Sequence, residues 1–157
     1  TRMLVSRKRV AACSTAAFLA LATDALSDPA TIAGAARVVD GDTLEIGGEY
    51  VRLIGIDAPE RDHPAGSHAT AGMRKLVGDG DVACDVLGRD RWERALAVCR
   101  AGGKDLARAL VRAGWAEAWY PRGGVEGPDY KRAEAEARRR GVGMWSDRLS
   151  RPAPSDR

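Results

Sequence analysis

The segment V-R-L-I-G-I-D-A-P-E, residues 51–60, reads as a buried β-strand carrying three charges in unexpected places. Arg52 interrupts the apolar run, and Asp57 and Glu60 close it around Pro59. A strand advances about 3.3 Å per residue, so an extended segment holds Arg52 and Asp57 about 16 Å apart. The two charges are then not expected to neutralise each other. The segment becomes a wall of something polar, and its partners must lie elsewhere in the chain.

Working outward, Gly47-Gly48 reads as the turn of a hairpin that joins strands Thr43–Ile46 and Glu49–Ile56. Ala35–Val39 precedes them as a further strand. Residues 65–77 suit a helix. The segments around D-V-A-C-D-V-L and R-A-L-A-V-C form a second hairpin, and centring it between Arg91 and Trp92 places Cys84 opposite Cys99. After Gly102-Gly103, the stripe Leu106, Leu110 and Val111 predicts a helix with Gly114 at its C-terminal cap. Trp115–Tyr120 reads as extended, and Asp129–Arg140 as a helix ended by Gly141. Two hairpin-rich blocks, one helix between them and two after them predict an α+β, predominantly β domain. The economical architecture is a five-stranded OB-fold Greek-key barrel with about three packed helices.

The chain has 157 residues, enough for one domain with a real core. Its formal net charge of +3 is concentrated at the start. Arg2, Arg7, Lys8 and Arg9 precede the uncharged run V-A-A-C-S-T-A-A-F-L-A-L-A, and small residues follow near Ala25–Ser27. This is the pattern of a signal peptide over residues 1–27. The run falls short of the about 20 residues a membrane-spanning helix needs. Val10-Ala11-Ala12-Cys13 precedes the apolar run instead of following it, which argues against lipidation. The expected organisation is a leader (1–27), a linker (28–34), a folded domain (35–147) and a flexible tail (148–157). The expected destination is secretion or the periplasm, with membrane anchoring if the leader is retained.

Without residues 1–27, 21 Lys+Arg face 21 Asp+Glu. An anionic substrate must then be held by a local arrangement of cations, not by a global field. Two cysteines remain, Cys84 and Cys99. In an exported protein, facing cysteines point to a disulfide, with a pair of reduced buried thiols as the alternative.

Three segments carry charge where a barrel strand should be apolar: V-V-D-G-D-T (38–43), the opening segment, and D-R-W-E-R-A-L-A (90–97). Asp40 suits an Asx turn. Asp42 and Asp57, from neighbouring strand ends, make a pair able to share one hard cation through oxygen ligands. Glu60 would stand near enough to take a proton from water. Arg52 and Arg94 offer planar donors for a phosphate whose charge grows in the transition state.

In this order, the three motifs resemble those of the staphylococcal-nuclease-like thermonucleases. The resemblance runs from about Ala35 to Trp145 and takes in G-W-A-E-A-W-Y (114–120) and G-M-W-S. It implies an OB-fold and a secreted, calcium-dependent nuclease that hydrolyses phosphodiester bonds of DNA and RNA to 3′-phosphates. Single-stranded substrate and a monomer are the expectation. Carried over by position, it assigns one Ca2+ to Asp42, Asp57 and the carbonyl of Ala58, where threonine is frequent. Glu60 takes the role of general base, and Arg52 and Arg94 bind phosphate. Arg91 and Trp92 contact the nucleotide, with tryptophan where tyrosine is common, and Tyr120 lines the nucleotide pocket. Glu93 stands where the family usually has glycine, and its carboxylate is placed to pair with Arg94 or weaken its hold on phosphate. Trp115 and Trp119 are read as core, and His63 and His68 as surface residues without a metal role. The competing reading is a non-catalytic OB-fold module that binds single-stranded nucleic acid or a protein.

Overall fold

The computed structural model of the chain describes residues 30–120 and 124–146, so the expected leader and tail lie outside the described residues. Five strands close into a barrel: β1 (Thr31–Val38), β2 (Thr43–Ile46), β3 (Glu49–Leu53), β5 (Asp81–Arg89) and β6 (Ala95–Ala101). Neighbours pair antiparallel except where β3 meets β6 in parallel, with Val51 beside Ala95, and that contact shuts the barrel. Closure leaves few free edges on a small sheet. The expected OB-fold, with three helices around a five-stranded barrel, is the fold observed.

Alternation explains the strands. Along β3, Val51 and Leu53 point inward and are fully buried, while Tyr50 and Arg52 face outward. Helix α1 (Gly66–Val77) lays Ala69, Met73 and Val77 over one end of the barrel. Helix α2 (Leu106–Arg112) contributes Leu106 and Leu110, and α3 (Lys131–Arg140) packs outside it. Fully burying one Leu or Met side chain of this kind stabilises by about 1.5–3 kcal/mol. A two-residue strand β7 (Lys104–Asp105) leads into α2, and Asp105 caps that helix by accepting from the N–H of Arg108.

Two elements differ from expectation. Strand β1 begins at Thr31, four residues before Ala35, because Thr31–Ala35 pairs residue by residue with Asp81–Asp85. The predicted strand Glu49–Ile56 is not continuous. It turns at Ile54-Gly55, where Gly55 takes φ +84°, and resumes as β4 (Ile56–Asp57). A side chain at Gly55 would meet the Tyr130 ring at 2.9 Å and the Pro128 carbonyl at 3.0 Å, so both conformation and space require glycine. Strand β4 then pairs with β8 (Glu117–Ala118) in a separate two-stranded sheet.

The second hairpin has the expected register, with Cys84 directly opposite Cys99. The two sulfurs are bonded and fully buried in the barrel. A bulge between Val86 and Gly88 shifts the pairing nearer the loop.

Candidate active site

The loop between β1 and β2 builds the first part of the site. Asp40 Oδ1 accepts from the N–H of Asp42, the expected Asx turn, and the N–H groups of Val39 and Asp40 donate to the Thr43 carbonyl. This turn drives the Asp42 side chain inward until only 3% of the residue is exposed. Its Oδ1 accepts from Arg52 Nη1 at 2.5 Å and from the Thr43 hydroxyl at 3.1 Å. Its Oδ2 accepts from the N–H of Ala58 at 2.9 Å. Burial dominates its protonation and pushes the carboxyl up to about 6, against the opposing pull of the Arg52 guanidinium and the Ala58 N–H.

The turn at Ile54-Gly55 overturns the expected separation of Arg52 from Asp57. Folding the chain back brings Asp57 Oδ1 to 2.7 Å from Arg52 Nη2, so one guanidinium bridges both carboxylates. Asp57 is exposed and Asp42 buried, which makes the pair half open to solvent. Ala58 is drawn in by its bond to Asp42, and Glu60 follows two residues later with its side chain exposed. The Glu60 carboxylate accepts no hydrogen bond among the described residues. A cleft of about 470 Å3 lies in front of it, with Asp57, Ala58, Asp62, His63 and Glu117 on its walls.

Two glycines press helix α1 against this wall. A Cβ on Gly66 would fall 1.9 Å from the Glu60 carbonyl oxygen, and one on Gly41 would fall 2.6 Å from the Ala58 Cβ and 2.9 Å from that of Ala69. Neither was singled out in the sequence, where both look like ordinary loop or helix-start residues. Arg61 adds a hydrogen bond to the Val39 carbonyl and ties the Glu60 segment to the first loop.

Arg94 immediately precedes β6. Alternation puts it on the same outer face as Leu96, the register partner of Arg52. Its partner is Asp90, not Glu93: Nε donates to Asp90 Oδ2 at 2.7 Å, and its own N–H to Oδ1. Burial raises the Asp90 carboxyl, but the hydrogen bonds from Arg94 and from the Trp92 N–H outweigh it and hold it below its ordinary value. Glu93 has φ +62°, a left-handed backbone that favours glycine, and its carboxylate forms no ion pair among the described residues. The spacing D-R-W-E-R was the available signal for the Asp90 contact. Trp92 is 62% exposed, with the guanidiniums of Arg91 and Arg94 at 3.9 and 5.0 Å from its ring centre.

A second cleft, of about 340 Å3, opens beyond Gly55 and is walled by Trp119, Tyr120, Asp129 and Lys131. The Tyr120 hydroxyl donates to Asp129, and Lys131 lies 5.1 Å from its ring centre. Trp119, expected in the core, is 50% exposed: its backbone N–H donates to the Gly55 carbonyl just past the β4–β8 pair and its side chain lines the open cleft, while Trp115 packs against the core and stacks on His68. His63 is exposed and accepts from the Ala65 N–H.

The carboxylates of Asp42 and Asp57 converge on one point, held in this chain by Arg52, and all donors there are oxygens. That donor set, with one carboxylate deeply buried, fits a hard divalent cation. No cluster of three or more His, Cys, Asp or Glu ligands occurs among the described residues, so water and backbone oxygen would have to complete a shell.

Comparison with known proteins gives a consistent picture. A family model described as "Staphylococcal nuclease homologue" matches residues 50–147. A succinoglycan biosynthesis protein ExoI of Rhizobium meliloti (strain 1021) is 35% identical over 126 residues, covering 73% of this chain and 64% of that protein. An uncharacterized endonuclease of Escherichia coli O157:H7 is 35% identical over 116 residues, covering 71% and 74%. Another uncharacterized endonuclease, from Haemophilus influenzae, is 32% identical over 116 residues, covering 71% and 64%. The chain thus spans just under two thirds of the first and third of these relatives.

Proposed function

Because the chain belongs to the family of staphylococcal nuclease homologues, we propose that it is a nuclease that hydrolyses phosphodiester bonds of DNA and RNA. We place it outside the cytoplasm, dependent on one Ca2+, and leaving 3′-phosphate products. The observation that carries the reading is the convergence of Asp42, Arg52 and Asp57 within hydrogen-bond distance, beside Ala58 and Glu60.

Asp42, Asp57 and the Ala58 carbonyl would hold the cation. When bound, it supplies a Lewis acid that neutralises charge on the phosphate oxygens. Glu60, exposed and without a hydrogen-bond partner among the described residues, orients the attacking water and accepts its proton. Arg52 and Arg94 emerge on one face and offer N–H groups to the phosphate, whose non-bridging oxygens gain charge as the water oxygen adds. Removing one such donor typically costs about a hundredfold or more in rate. Trp92 and the Trp119–Tyr120 cleft present aromatic faces to the flanking bases.

The test is cleavage of single-stranded DNA by the mature protein with calcium and with chelator, beside the Glu60→Gln variant. Calcium-dependent cleavage by the wild type, and loss of about a hundredfold or more in the variant at unchanged fold, is the expected result. Binding without cleavage under any divalent cation would establish the binding-module alternative instead.

A further inference from the structure

The net charge of the folded part conceals a segregation. Helices α2 and α3 carry seven Lys+Arg (Arg108, Arg112, Lys131, Arg132, Arg138, Arg139 and Arg140) against only Glu134 and Glu136. The remaining described residues carry ten Lys+Arg against sixteen Asp+Glu. The face around the reacting centre is among the acidic parts, with Asp42, Asp57, Glu60, Asp62 and Glu117 close together. Without a bound cation, that face holds a polyanionic strand weakly unless the strand is also anchored elsewhere.

The cations of the two helices are not simply scattered over a solvated surface. A groove of about 710 Å3 runs between α2 and α3, with Arg108 and Arg112 on one wall and Arg132 and Arg139 on the other. The first pair is one turn apart on its helix. The second is two turns apart, about 10 Å along the axis at 1.5 Å per residue. Helix dipoles account for arginines at the C-terminal end of α3, but not for Arg132 in its first turn or Arg108 in the first turn of α2, where a cation is unfavourable. Nor are all of them consumed internally. Arg108 pairs with Asp105 at 3.9 Å and lies over the Tyr130 ring, Arg112 and Arg140 share Glu136, and Arg138 pairs with Glu134 and covers the Trp145 ring. Arg132 and Arg139 form no ion pair among the described residues, and both are exposed.

The groove also has a route to the reacting centre. Asp129 borders both it and the Trp119–Tyr120 cleft, and Gly55 on the far wall of that cleft is two residues from Asp57. We propose that the α2–α3 groove is a phosphate track that holds the substrate strand beyond the scissile bond, an inference that rests on the nuclease reading. It recognises backbone phosphate and not base identity, so it raises affinity for long strands of any sequence.

The full chain is tested in chelator, by fluorescence anisotropy, with labelled oligodeoxythymidylates of about 16 and about 4 nucleotides, the range of single-strand site sizes. Substituting Arg132→Gln and Arg139→Gln together is expected to weaken binding of the longer strand about tenfold at low salt, with the shorter unchanged. The slope of log affinity against log salt should fall by about 1.4, from two lost phosphate contacts on a single strand. The Lys double variant should keep that slope, which separates charge from fold. An unchanged affinity and slope for the longer strand, or an equal loss on both lengths, overturns the proposal. Cleavage is measured in parallel. A wild type that binds with the expected slope yet cleaves neither strand under any divalent cation refutes the nuclease reading and leaves the groove standing.

Discussion

Replacing Asp42 with asparagine should make the metal-free protein more stable while abolishing its activity. The carboxyl is almost completely buried, and its pKa stands at about 6 against an ordinary 3.8. Between those values the folded state binds a proton that the unfolded chain has released. Stability associated with this group is therefore complete below 3.8 and lost as pH rises through about 6. The full gap is worth about 3 kcal/mol at neutral pH. Asparagine removes that cost, but it can present only one oxygen. One of the acceptor roles toward Arg52, Thr43 and the Ala58 N–H is then lost, which costs about 1–2 kcal/mol. The net expectation at pH 7 is a gain of about 1–2 kcal/mol. Urea unfolding in chelator at pH 7 and at pH 3.5 measures it. At the lower pH the wild-type carboxyl is protonated too, so the advantage should disappear or reverse. A variant less stable than wild type at pH 7 would show that the Arg52 ion pair outweighs the cost of burial, and the reasoning would be wrong. Adding calcium should stabilise the wild type and leave the variant unmoved.

Gly66→Ala places a methyl group 1.9 Å from the Glu60 carbonyl oxygen, so the backbone must move. We expect a loss of about 1–3 kcal/mol in stability, and a fall in kcat larger than any change in KM, because Gly66 itself offers nothing to substrate. Unchanged kcat in a folded variant would mean that the position of Glu60 is not set by this contact. Opening the Cys84–Cys99 bridge should cost about 3 kcal/mol for a loop of this length, read as a lower melting temperature on reduction. Thiols that titrate in the native protein before reduction, with an unmoved melting temperature, would exclude the bridge.

Much of the barrel was readable because its hairpins carry local marks. Gly47-Gly48 and Gly102-Gly103 both take positive φ at real turns. The cysteines face each other because the bulge between Val86 and Gly88 moves the pairing by one residue from the register next to the loop. The turn at Ile54-Gly55 carried only a fainter mark, a single glycine inside an apolar run. Its residues are apolar and buried, since the turn is covered by Tyr130 and the Pro128 carbonyl and not by water. Missing it made Arg52 and Asp57 look remote, when they are hydrogen-bonded. The candidate residues were named from motif order, but their mutual contacts were not. Which carboxylate Arg94 meets is set by the loop conformation, in which Asp90 also accepts from the N–H groups of Trp92 and Arg94. Trp119 shows a related limit: a tryptophan's sequence neighbours do not say which end of a short strand pair is left open. The charge of α2 and α3 was hidden because the net count sums over faces that the fold separates.

Helix α1 contributes no side chain to the proposed chemistry, yet both halves of the site are fitted to it. At its N-terminus, Gly66 lets the Glu60 carbonyl approach the helix backbone. One turn further, Ala69 meets Gly41, and Gly41 in turn meets Ala58. Gly41 is the residue before Asp42, and Ala58 donates to the Asp42 carboxylate. One rigid element thus spaces the buried carboxylate from the exposed Glu60. Both contacts depend on residues with no Cβ at all, so neither can lengthen or shorten without moving backbone. In hydrolysis of a phosphodiester, where an error of about 1 Å in position can cost about a hundredfold in rate, a helix without chemistry of its own becomes the ruler of the site.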